Sequence, residues 1–130
     1  EAGDAVLLDA PCSATGTIRR HPDIQYLKNP GHVTSGLVVQ KALLQAASEM
    51  VKPGGMVLYA TCSLQPEEGP GIIEAFIGSG AAVSRYPICA SELAGMEEFL
   101  TSDGDLRTLP CFLTKHGGMD GFFAARLVHD

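Results

Sequence analysis

The 130-residue sequence lacks several things that would have narrowed its reading early. It has 9 Lys and Arg against 15 Asp and Glu, a formal net charge of −6. That acidic balance argues against a self-sufficient nucleic-acid binder, which would present a net basic face. Its four cysteines, Cys12, Cys62, Cys89 and Cys111, form no Cys-x-x-Cys pair and have no His/Cys spacing suited to zinc. His21, His32, His116 and His129 show no metal spacing either, so no metal site is expected. No apolar run approaches the roughly 18 residues that would span a bilayer, which leaves no membrane role to expect. Glu1-Ala2-Gly3-Asp4 enters an apolar run without an initiator Met, a charged leader or a signal-type segment. The chain is therefore expected to begin inside a larger protein and to keep its thiols reduced in a cytoplasmic setting.

What is present is the content of one globular domain, with 45% hydrophobic residues and a mean hydropathy of +0.13. Ala5-Val6-Leu7-Leu8 is continuously apolar and predicts a buried parallel strand over 4–9. Gly16, Pro22, Pro30 and Gly31 predict a loop from 11 to 34. Apolar residues at helical spacing predict a helix over 37–51, stopped by Lys52-Pro53-Gly54-Gly55. A second buried strand is expected over 56–61, and a helix over 71–77 with Glu67 and Glu68 favouring its start. A strand is possible over 81–88, loop with one helical turn over 91–105, a short extended piece over 106–109 and a final strand ending at Val128. Strand, helix, strand, helix in succession predicts right-handed crossovers and an α/β fold with a mainly parallel sheet.

Each of the first two strands runs into a cysteine, in Asp9-Ala10-Pro11-Cys12-Ser13 and in Ala60-Thr61-Cys62-Ser63. In open α/β sheets ligands sit outside the carboxyl ends of the strands, so Asp9, Cys12 and Cys62 are the candidate site, with two soft nucleophiles facing one pocket. Cys89 and Cys111 read as ordinary small side chains. Pro11 either turns Cys12 toward the pocket or only stiffens the loop, and Asp9 taken alone could cap a turn. Arg19-Arg20-His21 is a compact basic cluster, placed to meet a polyanion or simply a solvated loop.

The stretch from Asp9 to Asp23 (DAPCSATGTIRRHPD), then Tyr59 to Glu68 (YATCSLQPEE), then Asp120 to Leu127 (DGFFAARL), resembles successive motifs of the Sun/NOL/NOP family of RNA cytosine-5 methyltransferases. The likeness is greatest to the bacterial members that act on 16S rRNA, and it covers Asp4 to Val128 apart from Ala90 to Asp105. The resemblance implies a Rossmann-like fold, S-adenosylmethionine as cofactor and RNA, rRNA in particular, as partner. It also implies Cys62 as the covalent nucleophile on carbon 6, Cys12 as the group assisting release, and Asp9 as a hydrogen-bonding residue beside the ring or the cofactor. Arg19, Arg20 and His21 become candidate RNA contacts. The family's Gly-rich cofactor loop and acidic cofactor residues have no counterpart here, so the chain is expected to be the carboxyl-terminal part of a catalytic domain with little cofactor affinity of its own. The edge of the first strand is then expected to be open and to favour self-association. A non-catalytic RNA-contact or assembly module is the competing reading. A thiol redox domain is disfavoured by the missing Cys-x-x-Cys.

Overall fold

The computed structural model describes residues 2–130. Five strands, β1 (Gly3–Asp9), β2 (Val51–Thr61), β3 (Val83–Arg85), β4 (Leu106–Thr108) and β5 (Phe122–His129), form one sheet of order β1-β2-β5-β3, with β4 also on β5. β1 and β2 pair parallel. β5 pairs antiparallel with β2, β3 and β4. Four strands therefore share one direction and β5 alone is reversed, so the final strand is antiparallel as expected. Because β5 intervenes between β2 and β3, the only parallel ladder among the described residues is β1-β2.

Helices α1 (Ile24–Leu27), α2 (Pro30–Met50) and α3 (Pro70–Gly78) connect these strands. The loop expected over 11–34 is broken by a 3-10 turn at Thr15–Thr17 and by α1, and α2 begins seven residues earlier than its apolar spacing indicated. The reason lies in its cap. The Asn29 side chain accepts from the His32 N–H at 3.2 Å, His32 Nδ1 accepts from the Asn29 N–H at 3.1 Å, and Pro30 occupies the first turn, where its missing N–H costs nothing.

On α2 the buried residues are Gln40, Leu44, Ala47 and Ser48, spaced as one helical face. That face and Ile72, Ile73 and Phe76 of α3 pack on Val57, Tyr59, Phe123, Ala125 and Leu127, alternate residues of the two central strands. On the opposite sheet face Met56, Leu58 and Val128 are half-buried, while Ala60 and Ala124 are buried. β1 corrects one expectation, for none of its residues is buried and Leu7 is 68% exposed. Among the described residues β1 has β2 on one edge and nothing on the other, the open edge expected from the sequence. The strand expected over 81–88 shortens to β3, and the segment over 91–105 carries two 3-10 turns rather than one.

Candidate active site

Because β1 and β2 are parallel neighbours in register Asp9↔Ala60, their carboxyl ends release two loops side by side. The Ala10 N–H donates to the Ala60 carbonyl at 2.8 Å, carrying the ladder one residue past the strand. The loops then place Cys12 Sγ 3.6 Å from Cys62 Sγ, either thiol donating. The two cysteines that sequence order alone set at the ends of strands are thus in contact, each half-buried. The Ala14 N–H, in a residue with φ of 58°, points at Cys12 Sγ at 3.4 Å.

Burial pushes the Cys62 thiol up to about 11, and the neighbouring Cys12, with a smaller contribution from the charge on Asp9, adds to that rise. The resting thiol is therefore protonated at neutral pH, whereas a nucleophile must be a thiolate. Asp9 is solvent-exposed at the end of the edge strand, near enough for its charge to reach Cys62.

Backbone glycines lock the two loops together. The Gly16 N–H donates to the Cys62 carbonyl at 2.8 Å and the Gly121 N–H to the Gly16 carbonyl at 2.7 Å. A Cβ on Gly16 would lie 2.1 Å from the Gly121 oxygen and 2.6 Å from the Cys62 oxygen, so only glycine allows this approach. The loop before β5 thereby becomes the third wall of the site.

Beneath the thiols lies a residue the sequence reading assigned only to a helix start. Glu68 is fully buried at the end of a 3-10 turn, Pro66–Glu68. Its carboxylate accepts from the Ser13 N–H at 3.0 Å, from Ser13 Oγ at 2.6 Å, from Gln40 Nε2 at 3.2 Å and from Ser63 Oγ. Its backbone carbonyl accepts from the Tyr59 hydroxyl at 2.7 Å, and burial drives the Tyr59 pKa upward. The signal was present in the sequence as two Cys-Ser pairs and a Glu-Glu pair. Nothing in their spacing showed that Glu68 points inward while Glu67 stays exposed.

Arg19 and Arg20 are brought together, but by an acid. Arg19 Nε donates to Asp120 Oδ1 and Arg20 Nε to Asp120 Oδ2, both at 2.8 Å. The Arg20 hydrogen bond, with help from Arg19, holds the Asp120 carboxyl below its ordinary range. Both arginines remain substantially exposed and His21 is exposed beside them. Lys28, which the sequence reading passed over, lines the cavity that holds Pro11, Cys12, Ser13 and His32, and also the adjoining one with Thr15, Gln65 and Glu67. Among the described residues no group of His, Cys, Asp or Glu is arranged to hold a metal ion, and no helix is long and apolar enough to cross a membrane.

A mixed sheet with its reversed strand beside β2, and two thiols in contact beyond the carboxyl ends of its parallel strands, is a Rossmann-like methyltransferase fold. Solved structures agree. The methyltransferase homolog protein from Pyrococcus horikoshii superposes with a TM-score of 0.72 at 29% identity, over 99% of this chain and 40% of that one. NSun6 from Pyrococcus horikoshii with SFG gives a TM-score of 0.70 at 26% identity, over 95% of this chain and 29% of that one. More narrowly, the model of the family 16S rRNA methyltransferase RsmB/F matches residues 1–128, and the chain belongs to that family. It is 40% identical over 124 residues to ribosomal RNA small subunit methyltransferase B of Pasteurella multocida, covering 95% of this chain and 25% of that protein. It is 42% identical over 127 residues to the protein of the same name from Sodalis glossinidius, covering 98% and 26%. The chain spans about a quarter of the length of these relatives.

Proposed function

We propose that this chain is the carboxyl-terminal part of the catalytic domain of a cytoplasmic RNA cytosine-5 methyltransferase acting on ribosomal RNA, and that Cys62 and Cys12 are its reacting thiols. The observation that carries this reading is the 3.6 Å approach of two thiols at the ends of adjacent parallel strands, within a chain of this family. Carbon 5 of cytosine is a weak nucleophile until a thiolate adds to carbon 6, and one thiol cannot both stay bonded there and take the carbon 5 proton. Two thiols in contact meet both needs.

In this reading Cys62 Sγ gives its proton to solvent and the thiolate bonds to carbon 6, the electrons of the carbon 5–carbon 6 double bond moving onto carbon 5, from which they attack the methyl group. After carbon 5 has been methylated, Cys12 assists removal of the carbon 5 proton, and the carbon–sulfur bond breaks to restore the ring and the Cys62 thiolate. Asp9 hydrogen-bonds the ring's polar edge or a group of the cofactor beside it. S-adenosylmethionine, of which the SFG of NSun6 is an analogue, supplies the electrophilic methyl group when bound. The residues present fit it as one wall of a site. Asp9 offers an exposed carboxylate at the strand end, and the glycine-rich turn that would complete the cradle has no counterpart in this sequence. Arg19, Arg20, His21 and Lys28 form the basic rim on which the RNA backbone rests.

The test uses the full-length parent protein with RNA and cofactor. Cys62→Ala should abolish both methylation and the covalent protein–RNA complex, while Cys12→Ala should accumulate that complex through denaturing electrophoresis. The reverse pattern would exchange the roles of the two thiols. Methylation undiminished in both variants would take the two thiols out of the mechanism, and absence of methylation by the unaltered parent would leave a non-catalytic RNA-contact or assembly module as the better account.

A further inference from the structure

We infer that Glu68 is a positioning residue that sets the separation of the two thiols, an inference that rests on reading Cys62 and Cys12 as the reacting pair. Ser13 follows Cys12 and Ser63 follows Cys62, and both serines donate to the same carboxylate. The Ser13 N–H adds a third bond and fixes the backbone, not only the side chain, of the Cys12 loop. A single carboxylate is therefore tied one residue beyond each thiol.

Burial gives the arrangement its weight. Glu68 is fully buried, and among the described residues it takes part in no ion pair. A carboxyl group withdrawn from water without a cation is costly unless its lone pairs are filled, and here neutral donors fill them. Gln40 shows how far the surroundings are committed to this. Its Nε2 donates to both the Pro11 carbonyl at 2.8 Å and Glu68, while its Oε1 is buried with no partner among the described residues. The amide is held with its donors toward the cysteine loop and Glu68 at the expense of its own acceptor. A residue needed only to start α3 would require none of these bonds, since an acid at a helix start works from the exposed first turn.

The experiment measures how readily the thiols meet, without RNA or cofactor. In the full-length parent carrying Cys89→Ser and Cys111→Ser, oxidised glutathione closes Cys12 and Cys62 into a disulfide. The two thiols give up two protons and two electrons, and the oxidant leaves as two molecules of glutathione; peptide mass mapping follows the product. Glu68→Gln puts an amide donor where the serines need an acceptor, and should slow closure roughly tenfold. The same variant should lower kcat for methylation about as much while leaving KM for RNA within about twofold. Ser13→Ala with Ser63→Ala removes the ties from the other side and should reproduce both effects, and it decides the matter if Glu68→Gln fails to fold. Closure at the parent rate in a folded variant overturns the inference, even if methylation falls. Because closure needs neither substrate, it reads on Glu68 independently of whether Cys62→Ala abolishes methylation.

Discussion

Among the described residues two acids are buried, Glu68 beneath the thiols and Asp105 beside the β3-β4 side of the sheet, and they are satisfied by different means. Asp105 is 1% exposed and is paired with Arg85, which also reaches Glu74. Burial pushes the Asp105 carboxyl above its ordinary range even though the Arg85 hydrogen bond and charge work against that. Among the described residues the Glu68 carboxylate has only hydroxyl, amide and backbone donors. An ion pair attracts over a range of distances and tolerates small displacements. Hydrogen bonds from several neutral donors to one carboxylate are directional and weaken steeply as their angles close, so they hold orientation more narrowly than charge attraction does. Asp105 pairs with Arg85, whereas Glu68 ties the two cysteine loops together.

The largest way to disturb the thiol side is steric. Gly16→Ala drives a methyl group into two carbonyl oxygens and should cost about 3 kcal/mol, read as a lowered denaturant midpoint, while also slowing Cys12–Cys62 closure. Retention of both stability and closure rate would mean that the Gly16–Gly121 clasp does not position the loops.

A smaller change sharpens the contrast between the acids. Asp105→Asn keeps the shape but leaves Arg85, whose side chain is 15% exposed, with one charged partner; the expected loss is about 2 kcal/mol. Thermal unfolding measures it, and the thiol closure rate should not move. If Asp105→Asn slows closure as much as Glu68→Gln does, the two acids are not doing different jobs.

The thiols themselves should respond to pH. With Cys62 pushed up to about 11, alkylation by iodoacetamide at this site should rise about tenfold per pH unit until it levels near that value. Cys12→Ala removes one of the raising influences, so the midpoint should fall toward the ordinary cysteine value while burial keeps it above. An unchanged midpoint would show that burial alone sets it.

The smallest expected effect is at the rim. Arg20→Ala should weaken RNA binding by the full-length parent a few-fold and lower the salt dependence by about one charge. Asp120→Asn, which frees both arginines, should strengthen binding slightly. Equal RNA affinity in parent and both variants would assign the cluster to holding Asp120 and the loop before β5.

The site was legible in the sequence to the extent that it lies at strand ends. Cys12 and Cys62 could be placed because apolar runs stop just before them, and chain order put both strands in one sheet. Arg19 and Arg20 could be seen as a cluster, but their partner lies a hundred residues away, and no local pattern links Arg20 to Asp120. Glu68 was hidden for the same reason. An acid after Pro66 reads as a helix start, and its inward orientation depends on Ser13 and Gln40, distant in sequence. The apolar β1 read as buried because continuous hydrophobicity marks what a strand could cover, not what lies against it.

By itself the sequence determined the α/β class, the two strand-end cysteines and the family motifs, because strand and helix periodicity and turn chemistry are local properties of neighbouring residues. Only the tertiary structure decided that the thiols touch, that β5 intervenes between β2 and β3, and that one buried carboxylate serves both cysteine loops. Those features join segments remote in sequence: 50 residues separate the two thiols and 55 separate Ser13 from Glu68. They are set when the α2 and α3 faces close on the sheet and leave Glu68 no water to turn to.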